Sequence, residues 1–134
     1  MSASQPLSAI DSNKRLVVRW FEEVWNQSRR ETIFELLAPN GVLHDGGTVI
    51  RGPEAFATLF YDRMRAEFTD FQVTPGTTLA ENDLVGLRWT AKCHHKATNK
   101  DTTVTGISIV RVKDGQFVEA WQNWDEASLA AQLA

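Results

Sequence analysis

The sequence is poor in the residues that mark several classes of protein. It has one cysteine among 134 residues, Cys93, so no internal disulfide can form, and we expect a reducing compartment in which this thiol is buried as a small hydrophobe. The net charge of −3 argues against a nucleic-acid-binding surface, which would be basic. No run reaches the roughly 18 apolar residues of a membrane span, and residues 1–8 lack the charged start and apolar core of a signal peptide. We expect a cytoplasmic protein that binds neither nucleic acid nor membrane.

The chain also lacks the patterns that usually hold a metal ion or an organic cofactor. It contains no nucleophile elbow, phosphate-binding loop or dinucleotide fingerprint. Its three histidines include no His-x-x-x-His spacing, and paired cysteines and clustered carboxylates are missing. His94 and His95 are neighbours, which puts them on opposite faces of a regular strand and prevents them from binding one ion together. We therefore expect a site without metal or cofactor.

Aromatic residues, in contrast, are plentiful, with five tryptophans and seven phenylalanines. A chain of this length is expected to form one domain that hides roughly two thirds of its unfolded surface. So small a core cannot hold every large ring, and several should line a cavity or an interface. We predict a single domain over residues 1–134, with residues 1–10 as a disordered tail.

The first half of the chain has the pattern of helices. Asp11 or Ser12 could cap a first helix, whose apolar stripe follows the spacing of one helical face. The stripe consists of Val17, Trp20, Phe21, Val24 and Trp25. We predict a second helix over 31–38, a short strand over 41–45, and a third helix from Gly52-Pro53, where proline suits the first turn.

The second half changes to the pattern of strands. We predict strands over 71–79, 84–95, 108–112 and 117–124, followed by a short helix to Ala134. Asp114-Gly115 is typical of a tight hairpin turn, because both residues tolerate positive φ. Helices followed by an antiparallel sheet indicate an α+β domain with the helices packed on one face.

The turn also predicts which side chains share a face of the sheet. With Asp114-Gly115 as a two-residue loop, Val112 pairs with Phe117 and Ser108 with Trp121. One face, expected to line a pocket, would carry Ser108, Val110, Val112, Phe117, Trp121, Asn123 and Asp125. The other would carry Ile107, Ile109, Val118, Ala120, Gln122 and Trp124. Helices can cover only one face, so we expect a homodimer through the outer face, using Ile107, Ile109, Val118, Gln122 and Trp124. A β-bulge would exchange the two faces beyond it.

Over residues 13–134, the order and spacing of short motifs resemble those of SnoaL-like proteins, a polyketide cyclase family of the nuclear transport factor 2-like superfamily. The motifs are Val24-Trp25-Asn26, Leu43-His44 followed by Gly52-Pro53-Glu54-Ala55-Phe56, Asp83-x-Val85-x-x-Arg88-Trp89-Thr90, and Asp114-Gly115-x-x-x-Glu119-x-Trp121-x-x-x-Asp125 with Gln132-Leu133 behind it. The resemblance implies a cone-shaped curved antiparallel sheet wrapped by the N-terminal helices. It also implies ring closure by intramolecular aldol condensation without metal or cofactor. Family members include isomerases, dehydratases, epoxide hydrolases and plain ligand-binding domains, so the fold alone does not fix the function.

The resemblance implies site residues as well. The family's acid–base aspartate matches Asp125, its pocket histidine matches His95, and its early-strand histidine matches His44. Two departures stand out: the family's Gly-Thr pair before the pocket histidine is Cys93-His94 here, and the Gly/Pro-rich segment after it is shortened to residues 96–101. Because that segment shapes a pocket wall in the family, the shortening argues against a bulky tetracyclic substrate.

Each candidate residue has a structural alternative. Asp125 ends an aromatic-lined strand, where partial desolvation would raise the pKa of its carboxyl group and make it a usable base. It also precedes the last helix and could simply cap it. His95 and His44 could polarise a carbonyl or relay a proton, or could be hydrogen-bonded structural groups. The candidate substrate-binding residues, which could equally belong to the core, are Trp121, Trp89, Asn123, Phe117 and Trp25.

Two functions of different classes therefore remain open. In the first, the protein is a small lyase or isomerase acting on an apolar carbonyl-bearing substrate, with Asp125 as base and His95 or Asn123 holding the oxyanion. In the second, the same pocket binds a small hydrophobic molecule and does no chemistry. A desolvated Asp125 with a hydrogen-bonding neighbour would favour the first. An apolar pocket with Asp125 bonded to backbone amides would favour the second.

Overall fold

The computed structural model describes residues 8–134 and shows an α+β fold whose helices cover one face of a curved, open sheet of six strands. Most of the predicted tail, residues 1–7, lies outside the described residues. The strands are β1 (Leu37–Asp45), β2 (Thr48–Arg51), β3 (Phe68–Glu81), β4 (Leu84–His95), β5 (Lys100–Lys113) and β6 (Gln116–Trp124). The helices are α1 (Ala9–Trp20), α2 (Glu31–Leu36), α3 (Gly52–Ala55), α4 (Asp62–Glu67) and α5 (Glu126–Leu133). A π-helical segment, Phe21–Asn26, extends α1, and a second, Phe56–Tyr61, joins α3 to α4.

Helix α1 follows its predicted apolar stripe but begins earlier than expected. Four of the five stripe residues are buried: Val17, Phe21, Val24 and Trp25. The Ser8 hydroxyl accepts a hydrogen bond from the Asp11 amide at 3.1 Å, so Ser8 is the cap and the prediction of Asp11 or Ser12 is wrong. Because the chain is helical from Ala9, the predicted tail ends too late. Within residues 8–134, none of the helices combines the length and apolar character needed to cross a membrane.

The sheet has the strand order β2-β1-β6-β5-β4-β3. All neighbours are antiparallel except β1 and β6, which run parallel, so the expectation of a purely antiparallel sheet is wrong at this pair. No hairpin joins β1 to β6, so no turn dictates their relative direction. The sequence predicted no element for the residues of strand β2; the strand is four residues long, and only Ile50 of these is buried, which leaves little apolar pattern to detect.

The last hairpin confirms its predicted turn but not its predicted register. Asp114 and Gly115 both have positive φ, and Val112 pairs with Phe117 as expected. Beyond that pair the register shifts, because Arg111 pairs with Glu119 and leaves Val118 as the extra residue of a β-bulge. Every later residue of β6 therefore faces the side opposite to the predicted one.

The bulge moves two sets of residues. Ala120, Gln122 and Trp124 lie on the inner face, against the helices, so Gln122 and Trp124 are not part of the outer face to which they were assigned. Trp121, Asn123 and Asp125 follow the outer register, where Trp121 pairs with exposed Ile109 and Asn123 with exposed Ile107. The predicted pocket face is thus correct for Ser108, Val110, Val112 and Phe117, which are buried, and wrong beyond the bulge.

Candidate functional site

The interior between the helices and the inner sheet face contains two cavities of about 70 Å³ and 60 Å³. Cavity 1 is bordered on the helical side by Phe21, Trp25, Phe60 and Met64, and on the sheet by residues that include Phe68, Phe71, Trp89, Cys93, Gln122 and Trp124. Cavity 2 is bordered by residues that include Trp20, Leu37, Leu43, Phe56, Ser108 and Phe117. Both linings are dominated by aromatic and aliphatic groups, as expected for a small-molecule site.

The aromatic wall of cavity 1 is held in place by packing and by a side-chain amide. The ring of Trp25 lies 5.3 Å from the rings of both Tyr61 and Phe71. The next residue, Asn26, donates to the Val73 carbonyl at 2.9 Å and accepts from the Val73 amide at 2.6 Å. Asn26 thereby pairs with the edge strand β3 as another strand would, and fixes the π-helical segment that carries Trp25.

The floor of cavity 1 is the indole ring of Trp89. Its N–H donates to the buried Ser108 hydroxyl at 2.9 Å. The ring lies over Gly106, its cross-strand partner, so closely that a Cβ atom at Gly106 would overlap the indole. The absence of a side chain at Gly106 therefore decides where this ring can lie.

One carboxyl group, that of Asp45, lies beside two residues of the cavity 1 lining, Gln122 and Trp124, although Asp45 itself lines neither cavity. Asp45 ends β1, is partly buried, and pairs in register with Gln122, a residue of the cavity lining. Burial raises the pKa of Asp45, and the negative charge of Glu126 adds to this rise, while the side chains of Trp124 and Gln122 oppose it. The buried indole N–H of Trp124 makes no hydrogen bond of good geometry among residues 8–134, and the Asp45 carboxyl group is the acceptor that lies beside it.

Asp125 lies elsewhere and has the contacts of a helix cap. Its Oδ1 accepts from the Ser128 amide at 2.9 Å, and the residue is exposed. Together with Arg88 and Asn123 it borders an open groove of about 260 Å³ on the outer side of the sheet. The capping alternative is thus present in the structure, and a catalytic role for Asp125 remains a prediction.

The two candidate histidines are not brought together either. His44 is on the outer face, where its Nε2 lies 2.8 Å from a Glu119 oxygen and its ring stacks on Trp121 at 5.6 Å. His95 bonds through Nδ1 to the Thr98 hydroxyl at 2.8 Å and packs on Phe68, beyond the lining of the cavities.

Of the five predicted substrate-binding residues, Trp25, Trp89 and Phe117 line a cavity, Trp121 borders cavity 2, and Asn123 lies on the outer groove. Sequence reasoning missed Asp45, Gln122 and Trp124 as site residues. A signal for Asp45 existed, since strand alternation places it on the same face as the apolar Leu43.

The remaining titratable groups near the site do not form a metal centre. No group of three or more His, Cys, Asp and Glu side chains within residues 8–134 is arranged to hold an ion. Cys93 is buried at the edge of cavity 1, as predicted, and burial raises the pKa of its thiol, so it stays protonated at neutral pH. Asp101 beside His94 raises the pKa of that imidazole on the exposed side of β4.

The architecture is that of nuclear transport factor 2-like and ketosteroid isomerase-like proteins. A candidate SnoaL-like polyketide cyclase from Jannaschia sp. CCS1 is similar with a TM-score of 0.84 at 18% identity over 97% of each chain. A ketosteroid isomerase-like protein from Catenulispora acidiphila, solved with trimethylamine, has a TM-score of 0.78 at 19% identity over 87% of this chain and 90% of that one. IdmH, a candidate polyketide cyclase from Streptomyces antibioticus, has a TM-score of 0.81 at 27% identity over 90% of this chain and 97% of its own.

Within this architecture, the model of SnoaL-like polyketide cyclases matches residues 15–133, and the chain belongs to that family. No protein of curated function matches it.

Proposed function

We propose that the protein is a lyase or isomerase that uses acid–base chemistry, without a cofactor, on a small apolar molecule carrying a carbonyl group. The observation that carries this proposal is the Asp45 carboxyl group, whose pKa is raised by burial next to Gln122 and Trp124 of the cavity lining. A base is most useful when its pKa approaches the working pH, so this environment suits proton transfer. Membership of the SnoaL-like polyketide cyclase family and the similarity to IdmH support the same chemistry.

The proposed reaction begins with removal of a proton next to the carbonyl group. The Asp45 carboxylate takes this proton, and the electron pair of the C–H bond forms an enolate. The side chains of Trp124 and Gln122 lie beside Asp45 and hydrogen-bond toward its carboxylate, and once Asp45 is protonated they would donate to the enolate oxygen instead. The enolate carbon then either regains the proton at a different position, which is an isomerisation, or attacks a second carbonyl of the same molecule, which is an aldol cyclisation. Both outcomes balance without an oxidant or reductant.

The test is deuterium exchange into apolar ketones such as 2-tetralone, followed in D₂O by mass spectrometry. We expect the wild-type protein to accelerate exchange next to the carbonyl, and Asp45→Asn to lose at least the ~100-fold typical of a missing general base. Asp125→Asn is the matched control, because asparagine caps a helix about as well as aspartate. Exchange that survives in Asp45→Asn and disappears in Asp125→Asn would assign the base to Asp125 instead.

A second candidate function is binding of a small hydrophobic ligand without chemistry. It is favoured by the linings of both cavities, which contain no charged side chain, and by the hydrogen bond from the Ser128 amide to Asp125. Under this alternative, ketones would bind in the cavities, and no variant would differ from the uncatalysed exchange rate.

A further inference from the structure

The interior of the fold is divided by three side chains that border both cavities. These are Phe21 and Trp25 from the π-helical segment and Gln122 from β6. We call these three residues the partition. Because each of them lines both cavities, these residues lie where the two cavities meet.

The helical side of the partition is firmly packed. Phe21 is buried, and its ring lies 6.3 Å from the ring of Trp89, which the Ser108 hydroxyl and the close approach to Gly106 hold in place. Trp25 is held by the aromatic neighbours and the Asn26 pairing described above. Phe21 therefore cannot move aside without disturbing the buried ring of Trp89.

We propose that the partition limits the length of the ligand and that Phe21 is its specificity-determining residue. Cavity 1 adjoins Trp124 and thus the Asp45 carboxyl group, so the reacting end of a ligand belongs there. The partition stops an extended molecule from entering cavity 2, which restricts the site to a single compact ring or a short chain. This inference rests on the proposed use of the cavities as a ligand site and adds a limit on ligand size to it.

The experiment measures the affinities of 4-n-alkylphenols, from methyl to octyl, by calorimetry on the full chain. For the wild-type protein, affinity should rise about fourfold with each methylene group that is buried, and then fall once the chain reaches the partition. Phe21→Ala should move the maximum to longer alkyl chains and bind those chains about 15-fold more tightly than the wild-type protein does, which corresponds to two additional buried methylenes. The control is Phe56→Ala, which enlarges cavity 2 without opening the partition and should leave the maximum where it is.

Two milder changes keep the test informative if Phe21→Ala does not fold. Phe21→Leu replaces one aromatic ring of the partition with a smaller side chain, and Gln122→Ala removes the side chain that the sheet contributes to it. A maximum that stays unchanged in both folded variants would overturn the inference, while binding of the short phenols would leave the ligand site itself intact. An equal shift in Phe56→Ala would also overturn it, since total volume would then set the length. If the wild-type protein binds none of the alkylphenols, both the proposed ligand site and the proposed role of the partition are refuted.

Discussion

At the scale of single residues, Asp45 is held in an environment that favours its neutral form. The folded state raises the pKa of this carboxyl group, so the folded state binds the proton more tightly than the unfolded chain does. The stabilisation from this group is therefore complete below the unfolded pKa of ~3.9 and is lost as the pH rises through the folded pKa. A group that costs stability near neutral pH is typical of a functional site.

Asp45→Asn should therefore become more stable relative to the wild-type protein as the pH rises from ~3.5 to 7. The expected gain is about 1.4 kcal/mol for each unit by which folding raises the pKa. Urea unfolding across this pH range measures it, and Asp125→Asn, which keeps the helix cap, serves as the control. A stability difference that shrinks with rising pH would show that the carboxylate is favoured in the folded state.

The second residue-scale prediction concerns Gly106, which allows the Trp89 ring to lie against the sheet. Gly106→Ala should cost about 1–3 kcal/mol, because the added methyl group overlaps a buried indole that cannot retreat. Gly86→Ala is the control on the neighbouring strand, since its Cβ would find the nearest atom at 3.8 Å, an ordinary contact. Urea unfolding measures both variants, and equal losses would mean that the glycines act through backbone entropy and not through the ring.

At the scale of elements, the pairing of Asn26 with Val73 joins the helical layer to the edge strand. Asn26→Leu removes a donor and an acceptor at once and should cost about 2 kcal/mol, at about 1 kcal/mol for each hydrogen bond. Hydrogen exchange at the Val73 amide should become faster in this variant. The matched control is Gln132→Leu, because Gln132 makes the equivalent pair of bonds to the Thr103 backbone and fixes α5 instead. Faster exchange at Val73 in the control would refute a local effect.

The elements also show what the sequence could predict and what it could not. The apolar stripe of α1, the hairpin turn at Asp114 and the alternating strand β4 were all visible, because each depends on local periodicity or turn chemistry. The bulge at Val118 was not, because a bulge results from how two strands fit together and leaves no repeat in either. The misplacement of Asp125, Trp121 and Asn123 follows from that one residue. Asp45 was missed because its burial depends on β6, which is distant in the chain.

At the scale of the whole molecule, the outer face of the sheet carries an apolar row in register across the strands. The row runs through Val49, His44, Trp121, Ile109, Gly86 and Leu79. Its exposed members Val49, Ile109 and Leu79, with the neighbouring Ile107, keep 42–70% of their surface accessible. The Arg111–Asp83 ion pair places both signs of charge along this face. A surface of mixed charge around an apolar row can pack against the same surface of a second copy, so we retain the homodimer as a proposal.

The homodimer predicts a change in mass on a single substitution. Ile109→Asp should shift the sedimenting species toward the 15.1 kDa chain by placing a charge at the centre of the row. Leu59→Asp, at a still more exposed apolar site on the helical layer, should leave the mass unchanged. A single wild-type species near 15.1 kDa at micromolar concentration would remove the proposal.

The bulge at Val118 has a consequence for how site residues pass from one relative to another. A relative with one residue fewer at this point would present the counterparts of Trp121 and Asn123 to its interior and those of Gln122 and Trp124 to its outer face. A sequence alignment would not reveal this difference, because the single gap that it requires can be placed at many positions along the strand. Roles assigned by alignment would then refer to side chains on opposite sides of the sheet. Between members of such a family, assignments beyond this position require the strand pairing of each protein to be known.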